Sequence, residues 1–482
     1  MRTSKTLIII LISMTVLPIT LISFVLLGKE LPGQLGCPRR EGNGENTIQN
    51  IFGFPYFEVQ FNKKGAVHDE KEVTALTEFL AEGGTTDLFI ISHGWNNNTI
   101  EARELYCEFF RYMREVLKDK LVPGVNARKF AIVGVLWPSK KFADKELKPG
   151  GAAFAELSVT DNDIMEQLNT LKEIFEDPNA DSILEKLKQS VSKLDDGQDE
   201  CEKFIDLVRS LLPQQGTAGD EDASKEFLKL PADEIIRRLD MSLPTPMIRS
   251  DGSAQNSDMK KFGKISFSKK SIISDILNYL TYYQMRERAS IVGFNGVNQL
   301  LQKIQTQCSD IKIHLIGHSF GGRLVTAAAT GSDKQPAVKS TTMILLQAAF
   351  SHYGFAEHYD GANNGFFRSM ITKSTVSGPI LITCTKNDRV LGIPYALASR
   401  LAGHIDKVVG DENNPYGAIG RNGAQKTPEA ATDEKELREP GYKYKFQKSK
   451  IYNLNGDKFI GDHSDICKKE VAYAVLSAIS KN

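Results

Sequence analysis

Apolar residues along this chain fall into two rhythms. Short continuous runs at Tyr56 to Phe61, Asp87 to Ser92, Phe130 to Leu136, Lys312 to Ile316, Thr342 to Ala348, Pro379 to Thr383 and Ile451 to Leu454 have the composition of strands buried on both faces. Between them, apolar residues three and four apart predict helices at Ile100 to Lys118, Asn278 to Gln305, Phe320 to Thr330, Pro394 to Ala402 and Ser464 to Ser480. Strands alternating with helices mark an α/β architecture with a mainly parallel sheet.

Two regions depart from that rhythm. From Lys140 to about Lys270 strand signals vanish, while DIMEQLNTLKEIF, SILEKLKQSVSKL, CEKFIDLVRSLL and ADEIIRRL keep helical spacing. This reads as a largely helical insertion, 140–275, serving as a lid over a site or as a separate interaction module. It divides the α/β core into 51–139 and 276–482. The second region, Gly410 to Lys448, is rich in Gly, Pro and charge and reads as an exposed loop.

The N-terminus has its own pattern. Leu7 to Leu27 carries no charge, and its length of about 21 residues matches a helix crossing a hydrocarbon core of roughly 30 Å. Residues 1–28 are therefore expected to be a signal anchor that holds the protein in a membrane by a single N-terminal transmembrane helix, followed by a polar linker, 29–50. A cleaved signal peptide is the alternative and would make the protein secreted, although no small-x-small site follows Leu27. Gln34 makes the stretch before Cys37 a poor lipobox. Basic residues flank both ends, Arg2 and Lys5 before and Lys29, Arg39 and Arg40 after, so orientation is left open.

Composition narrows the possibilities less. The 482 residues can form one large domain with an insertion, or two domains. Lys+Arg and Asp+Glu both total 60, so no global field recruits nucleic acid. Six cysteines with no CxxC pair argue against a zinc site or a disulfide scaffold and leave the redox compartment open. No phosphate loop, HExxH or paired-carboxylate pattern stands out, and neither a metal nor a cofactor is expected.

The candidate chemistry begins at Gly317-His318-Ser319-Phe320-Gly321. GxSxG alone is weak, but here it follows the strand KIHLI and precedes the helix-prone GRLVTAAAT. A nucleophile elbow needs that strand, tight turn and helix, with the small Gly317 and Gly321 making room for a strained Ser319. The competing reading is a glycine-rich strand-to-helix turn with an N-capping serine. An oxyanion hole would take the Phe320 N–H and a second N–H from the loop after an early strand. DLFIISHGWNNN supplies this loop: Gly94 allows the turn, the Trp95 N–H is the candidate donor, and His93 braces the loop rather than acting as a base. Asn97-Asn98-Thr99 is formally a glycosylation sequon, but a glycan at such a site mouth is discounted.

An acid and then a histidine should follow the serine. His463 lies after a strand and before a predicted helix, whereas His404 follows a helix and reads as a surface residue. Asp388 lies just past a strand end and is the expected acid, with Asp360 as the alternative. Asp457 and Asp462 are too close in sequence to His463 for that role, and Asp465 is expected to cap the following helix.

The motifs SHGWNNN, VGVLWPS, GHSFGG and GDHSDI resemble those of the α/β-hydrolase superfamily, in particular its lipase- and esterase-like serine hydrolases, over most of the chain outside the anchor and insertion. The resemblance implies an α/β-hydrolase fold and two-step acyl transfer from an ester through an acyl-enzyme on Ser319, with His463 as base and Asp388 orienting it. The HGW loop departs from the HGGG type and tilts the expected substrate towards lipid or other apolar esters. An acyltransferase with the same triad, and a non-catalytic membrane-tethered binding protein on the same scaffold, are the rival readings.

Overall fold

The computed structural model describes residues 49–139, 159–175, 178–212, 224–240, 269–388, 390–391 and 416–482. The Leu7–Leu27 run, Cys37, His404 and the helix expected over Pro394–Ala402 lie outside these residues. Among the described residues, no helix is long and apolar enough to cross a membrane.

Eight strands form one sheet: β1 (Gln49–Ile51), β2 (Phe54–Gln60), β3 (Asp87–Ser92), β4 (Phe130–Leu136), β5 (Lys312–His318), β6 (Thr342–Leu346), β7 (Ile380–Cys384) and β8 (Ile451–Asn455). Their spatial order is β1-β2-β4-β3-β5-β6-β7-β8. β1 pairs antiparallel with β2, and every other neighbouring pair is parallel. The seven parallel strands thus end along one edge. After β4 the chain crosses to the other side of β3 to form β5, and such a switch point opens a crevice at the strands' carboxyl ends.

Both faces of the sheet are buried, which explains the continuous apolar runs. In β4, Ala131, Val133 and Val135 point into one core with Leu88, Ile90, Leu315 and Leu345. Phe130 and Ile132 point into the other with Phe89, Ile91, Ile316 and Ile344. The first core is covered by α1 (Glu70–Ala81), α8 (Lys269–Ile291), α9 (Asn298–Gln307) and α10 (Phe320–Thr330). α2 (Thr99–Lys118) and the helix Lys469–Ile479 cover the second.

The described part of the insertion is helical, as expected: α3 (Asp161–Phe175), α4 (Pro178–Ser190), α5 (Gln198–Ser210), α6 (Ser224–Lys229) and α7 (Ala232–Asp240). Its apolar faces, including Ile164, Leu168, Phe204 and Ile235, join the core of α8 rather than closing on themselves.

Several expectations need correction. β1 occupies the end of the supposed linker; at three residues it is too short to show a pattern. α1 was not foreseen, although Val73, Leu76 and Leu80 form its buried stripe and Asp69 caps it through the Lys71 N–H. The single helix expected over Asn278–Gln305 is α8 and α9 separated by a π-helical stretch, Val292–Val297. There Gly293 passes so close to α10 that a Cβ would meet the Leu324 carbonyl at 2.3 Å.

The described part of the Gly410–Lys448 segment is irregular without being simply exposed. Ala418, Ile419, Leu437, Tyr444 and Phe446 are buried, and Ala430 and Glu436 bridge to β8. The last helix starts at Lys469, not Ser464, so Asp465 does not cap it; its carboxylate accepts the Gly461 N–H and pairs with Lys468. Cys107 is disulfide-bonded, while Cys201, Cys308, Cys384 and Cys467 are free thiols. The spacing of the cysteines carries no signal of that bond.

Candidate active site

At the carboxyl end of β5 the backbone reverses into α10 through one residue. Ser319 has φ 55° and ψ −125°, a left-handed conformation that costs energy for a residue with a Cβ. The surroundings hold it there. Its N–H donates to the Leu346 carbonyl, and its own carbonyl accepts the N–H groups of Gly322 and Ala349. The flanking glycines are required by contact: a Cβ on Gly317 would lie 2.4 Å from the Gly321 carbonyl oxygen, and one on Gly321 2.2 Å from that of Ser92. The helix therefore starts hard against β3 and β5, with its free N-terminal N–H groups at Ser319.

Two side chains from distant parts of the chain complete a hydrogen-bonded row. Ser319 Oγ lies 2.8 Å from His463 Nε2, and His463 Nδ1 lies 2.6 Å from Asp388 Oδ2. Asp388 is fully buried, and Ser319 and His463 are 5% and 9% exposed. Because a carboxylate only accepts, Nδ1 carries the proton and Nε2 is left to accept from the serine hydroxyl. Asp388 follows β7 and its other oxygen accepts the Leu391 N–H.

The loops bearing the acid and the histidine are tied to each other. Asp457 Oδ1 accepts from Thr385 Oγ1 and the Lys386 N–H, and Asn387 Nδ2 donates to the carbonyls of Asp457 and Ile460. Asp457 is thus a brace between the loops, and Asp462 accepts the Ser464 N–H. Asp360, the alternative acid, is exposed and turned into its own loop, where it accepts from Ala362 and Asn363. The Asn363 and Ala362 N–H groups hold its carboxyl down at about 2. It makes no hydrogen bond to His463.

His93, Gly94 and Trp95 stand beside the elbow, on the loop after β3. A Cβ on Gly94 would lie 2.6 Å from Ser319 Cβ, so only glycine allows this approach. His93 Nδ1 lies 2.9 Å from the Gly94 carbonyl, and its Nε2 accepts the Trp137 N–H at 3.3 Å. Those partners fix a neutral Nδ1–H tautomer and occupy the ring's lone pair. Burial pushes the imidazole down to about 4, against the opposing hydrogen bond to Gly94.

Further groups clamp the same loop. The His93 N–H donates to Tyr106 Oη, which donates to the Val135 carbonyl, and Trp137 Nε1 donates to the His93 carbonyl while its ring stacks on the imidazole. Ser139 Oγ donates to the Asn97 carbonyl. Tyr106, Trp137 and Ser139 were not singled out from the sequence. Trp137 and Ser139 do lie in the VGVLWPS motif at the end of β4, next to β3; Tyr106 sits mid-helix and carries no local signal.

The Trp95 and Phe320 side chains meet Tyr282 of α8, with ring centroids 6.4 Å and 5.0 Å from the tyrosine. An open groove of about 620 Å³ lies at the amino ends of the strands among Phe54, Arg114, Lys118, Lys129 and Phe130, and contains none of these groups. Among the described residues no cluster of His, Cys, Asp and Glu could hold a metal ion. No protein-family model, curated protein or solved structure matches the chain.

Proposed function

We propose that the protein is a serine hydrolase that cleaves carboxylic esters through an acyl-enzyme on Ser319. One observation carries this reading: the Ser319–His463–Asp388 row, assembled from the ends of β5, β8 and β7 around a serine in a strained elbow. A binding protein has no use for that strain or for a fully buried carboxylate facing an imidazole. The order of serine, acid and histidine along the chain and the elbow after β5 support an α/β-hydrolase fold.

His463 Nε2 takes the proton of Ser319 as Oγ attacks the ester carbonyl, and Asp388 stabilises the resulting imidazolium. The N–H groups of Phe320 and Trp95 receive the oxyanion, the first at the start of α10 and the second on the loop that His93 braces. Collapse expels the alcohol with the proton from His463. Water activated by the same imidazole then releases the acid and restores Ser319. The aromatic Trp95, Phe320 and Tyr282 favour an apolar ester.

The Leu7–Leu27 run supports an N-terminal membrane anchor. The disulfide at Cys107 favours an oxidising compartment for the domain behind it. The chemistry is tested with a fluorophosphonate probe: the wild type should be labelled and Ser319→Ala should not. Labelling that survives the substitution would remove Ser319 from the mechanism. Retention in the membrane pellet after alkaline extraction tests the anchor.

A further inference from the structure

His318 precedes the nucleophile and is 6% exposed, yet the mechanism above gives it no task. Its Nε2 lies 2.9 Å from the backbone carbonyl of His463. A carbonyl only accepts, so Nε2 carries the proton and Nδ1 is the bare nitrogen. Nδ1 is buried without a hydrogen-bond partner, on the side where Gly94 approaches. The two imidazoles are neighbours, with ring centroids 4.9 Å apart.

We infer that His318 is a positioning residue which, by donating from Nε2, fixes the backbone of His463 and so aims its imidazole at Ser319. The inference rests on the serine-hydrolase reading for its catalytic meaning. Ser319 and His463 are 144 residues apart and come from different loops, so their alignment depends on contacts between those loops. The side-chain row orients the ring. The bond from His318 holds the main chain to which that ring is attached, and it anchors this chain to the nucleophile's own strand.

A second imidazole so close to the base would be harmful if it competed for the proton of Ser319, and the surroundings prevent that. Burial pushes His318 down to about 3, and repulsion from His463 and His93 works in the same direction. A lysine or arginine could supply the same donor, but would place a fixed charge against the imidazolium that forms at His463. A neutral imidazole avoids that charge.

The experiment uses the full-length protein with His318→Leu, which removes the donor, and His318→Gln, which keeps an amide N–H of similar reach. Each is measured for ester turnover, melting temperature and the low-field proton NMR signal of the His463 Nδ1–H. For His318→Leu, kcat should fall on the order of 10- to 100-fold, the scale of a misplaced catalytic group, while KM changes by less than about threefold. The His463 signal should shift or broaden. His318→Gln should recover about half of the lost activity, on a logarithmic scale, and the wild-type signal, even if both variants melt at the same temperature.

An unchanged His463 signal in His318→Leu would overturn the positioning role, as would equal loss in both variants at equal melting temperature. If instead the wild type fails to react with the fluorophosphonate while the signal responds as expected, the hydrolase reading falls and the structural coupling stands.

Discussion

Gly94 and Ser319 are in contact across two loops: a Cβ on Gly94 would stand 2.6 Å from Ser319 Cβ and 3.2 Å from its Oγ. The loop that carries Trp95 and the turn that carries Ser319 are thus packed as one unit, and their spacing is set by a missing side chain. Gly94→Ala must push them apart. It should lower kcat/KM by at least about 100-fold, the scale on which a misplaced oxyanion donor is felt, with a smaller effect on melting temperature. Activity assays beside thermal unfolding check this, and near wild-type kcat would show that the contact is not needed.

Asp388 and Asp360 both follow strands in a sequence of strand-rich, carboxylate-bearing loops, and they separate only in three dimensions. Asp388→Asn keeps the shape but forces a different hydrogen bond on His463 Nδ1, so kcat should drop by on the order of 1,000- to 10,000-fold. Asp360→Asn loosens an exposed loop and should leave kcat within about twofold. Steady-state ester hydrolysis by the two variants decides the matter; comparable loss in both would contradict the assignment of Asp388.

Much of the architecture was legible because its signals are local. β3, β4 and α10 stand where their apolar runs and small residues placed them, and the contacts of Gly317 and Gly321 give the GxSxG spacing its physical reason. The supports of the site were harder to see. Tyr106, Trp137 and Arg421 act through hydrogen bonds to residues 13, 44 and 33 positions away, and such bonds leave no trace in periodicity. Arg421 also lies in a stretch whose Gly and charge content imitates an exposed loop. β1 and the disulfide at Cys107 have other reasons: a three-residue strand is too short to show a period, and a cross-linked cysteine carries no local pattern of its own.

Arg421 offers a test of how firmly the acid must be held. Its Nη1 donates to the carbonyls of Lys386 and Asp388 at 2.7 and 2.8 Å, so it holds the turn after β7 by its main chain. Burial pulls the guanidinium below its ordinary value, while Asp388 and Asp457 oppose the shift. Arg421→Met removes the donors and leaves Asp388 on a looser turn. A fall in kcat of roughly tenfold is expected, with Arg421→Lys in between because an ammonium cannot reproduce the planar fork. Parallel kcat and melting curves check this; full activity in Arg421→Met would show that the Asp388 turn is self-supporting.

Buried histidines should govern acid stability. His93 and His318 are pushed down to about 4 and about 3, mainly by burial, and burial also lowers His314 despite its partner Asp87. Released into the unfolded chain, each returns to about 6.5. Below that value the unfolded chain binds more protons than the native one, so stability falls with pH, and it keeps falling until the folded values are reached. The histidine contribution is therefore complete above about pH 6.5 and is lost through the window down to about 4 for His93 and about 3 for His318. Near pH 5 each of these two should take up close to one proton on unfolding, together a slope of roughly 2.7 kcal/mol per pH unit. Urea unfolding between pH 4.5 and 7.5 measures that slope, and His318→Gln should reduce it by about one proton. Stability that stays level from pH 6.5 to 4.5 would mean that these imidazoles are not held neutral in the folded protein.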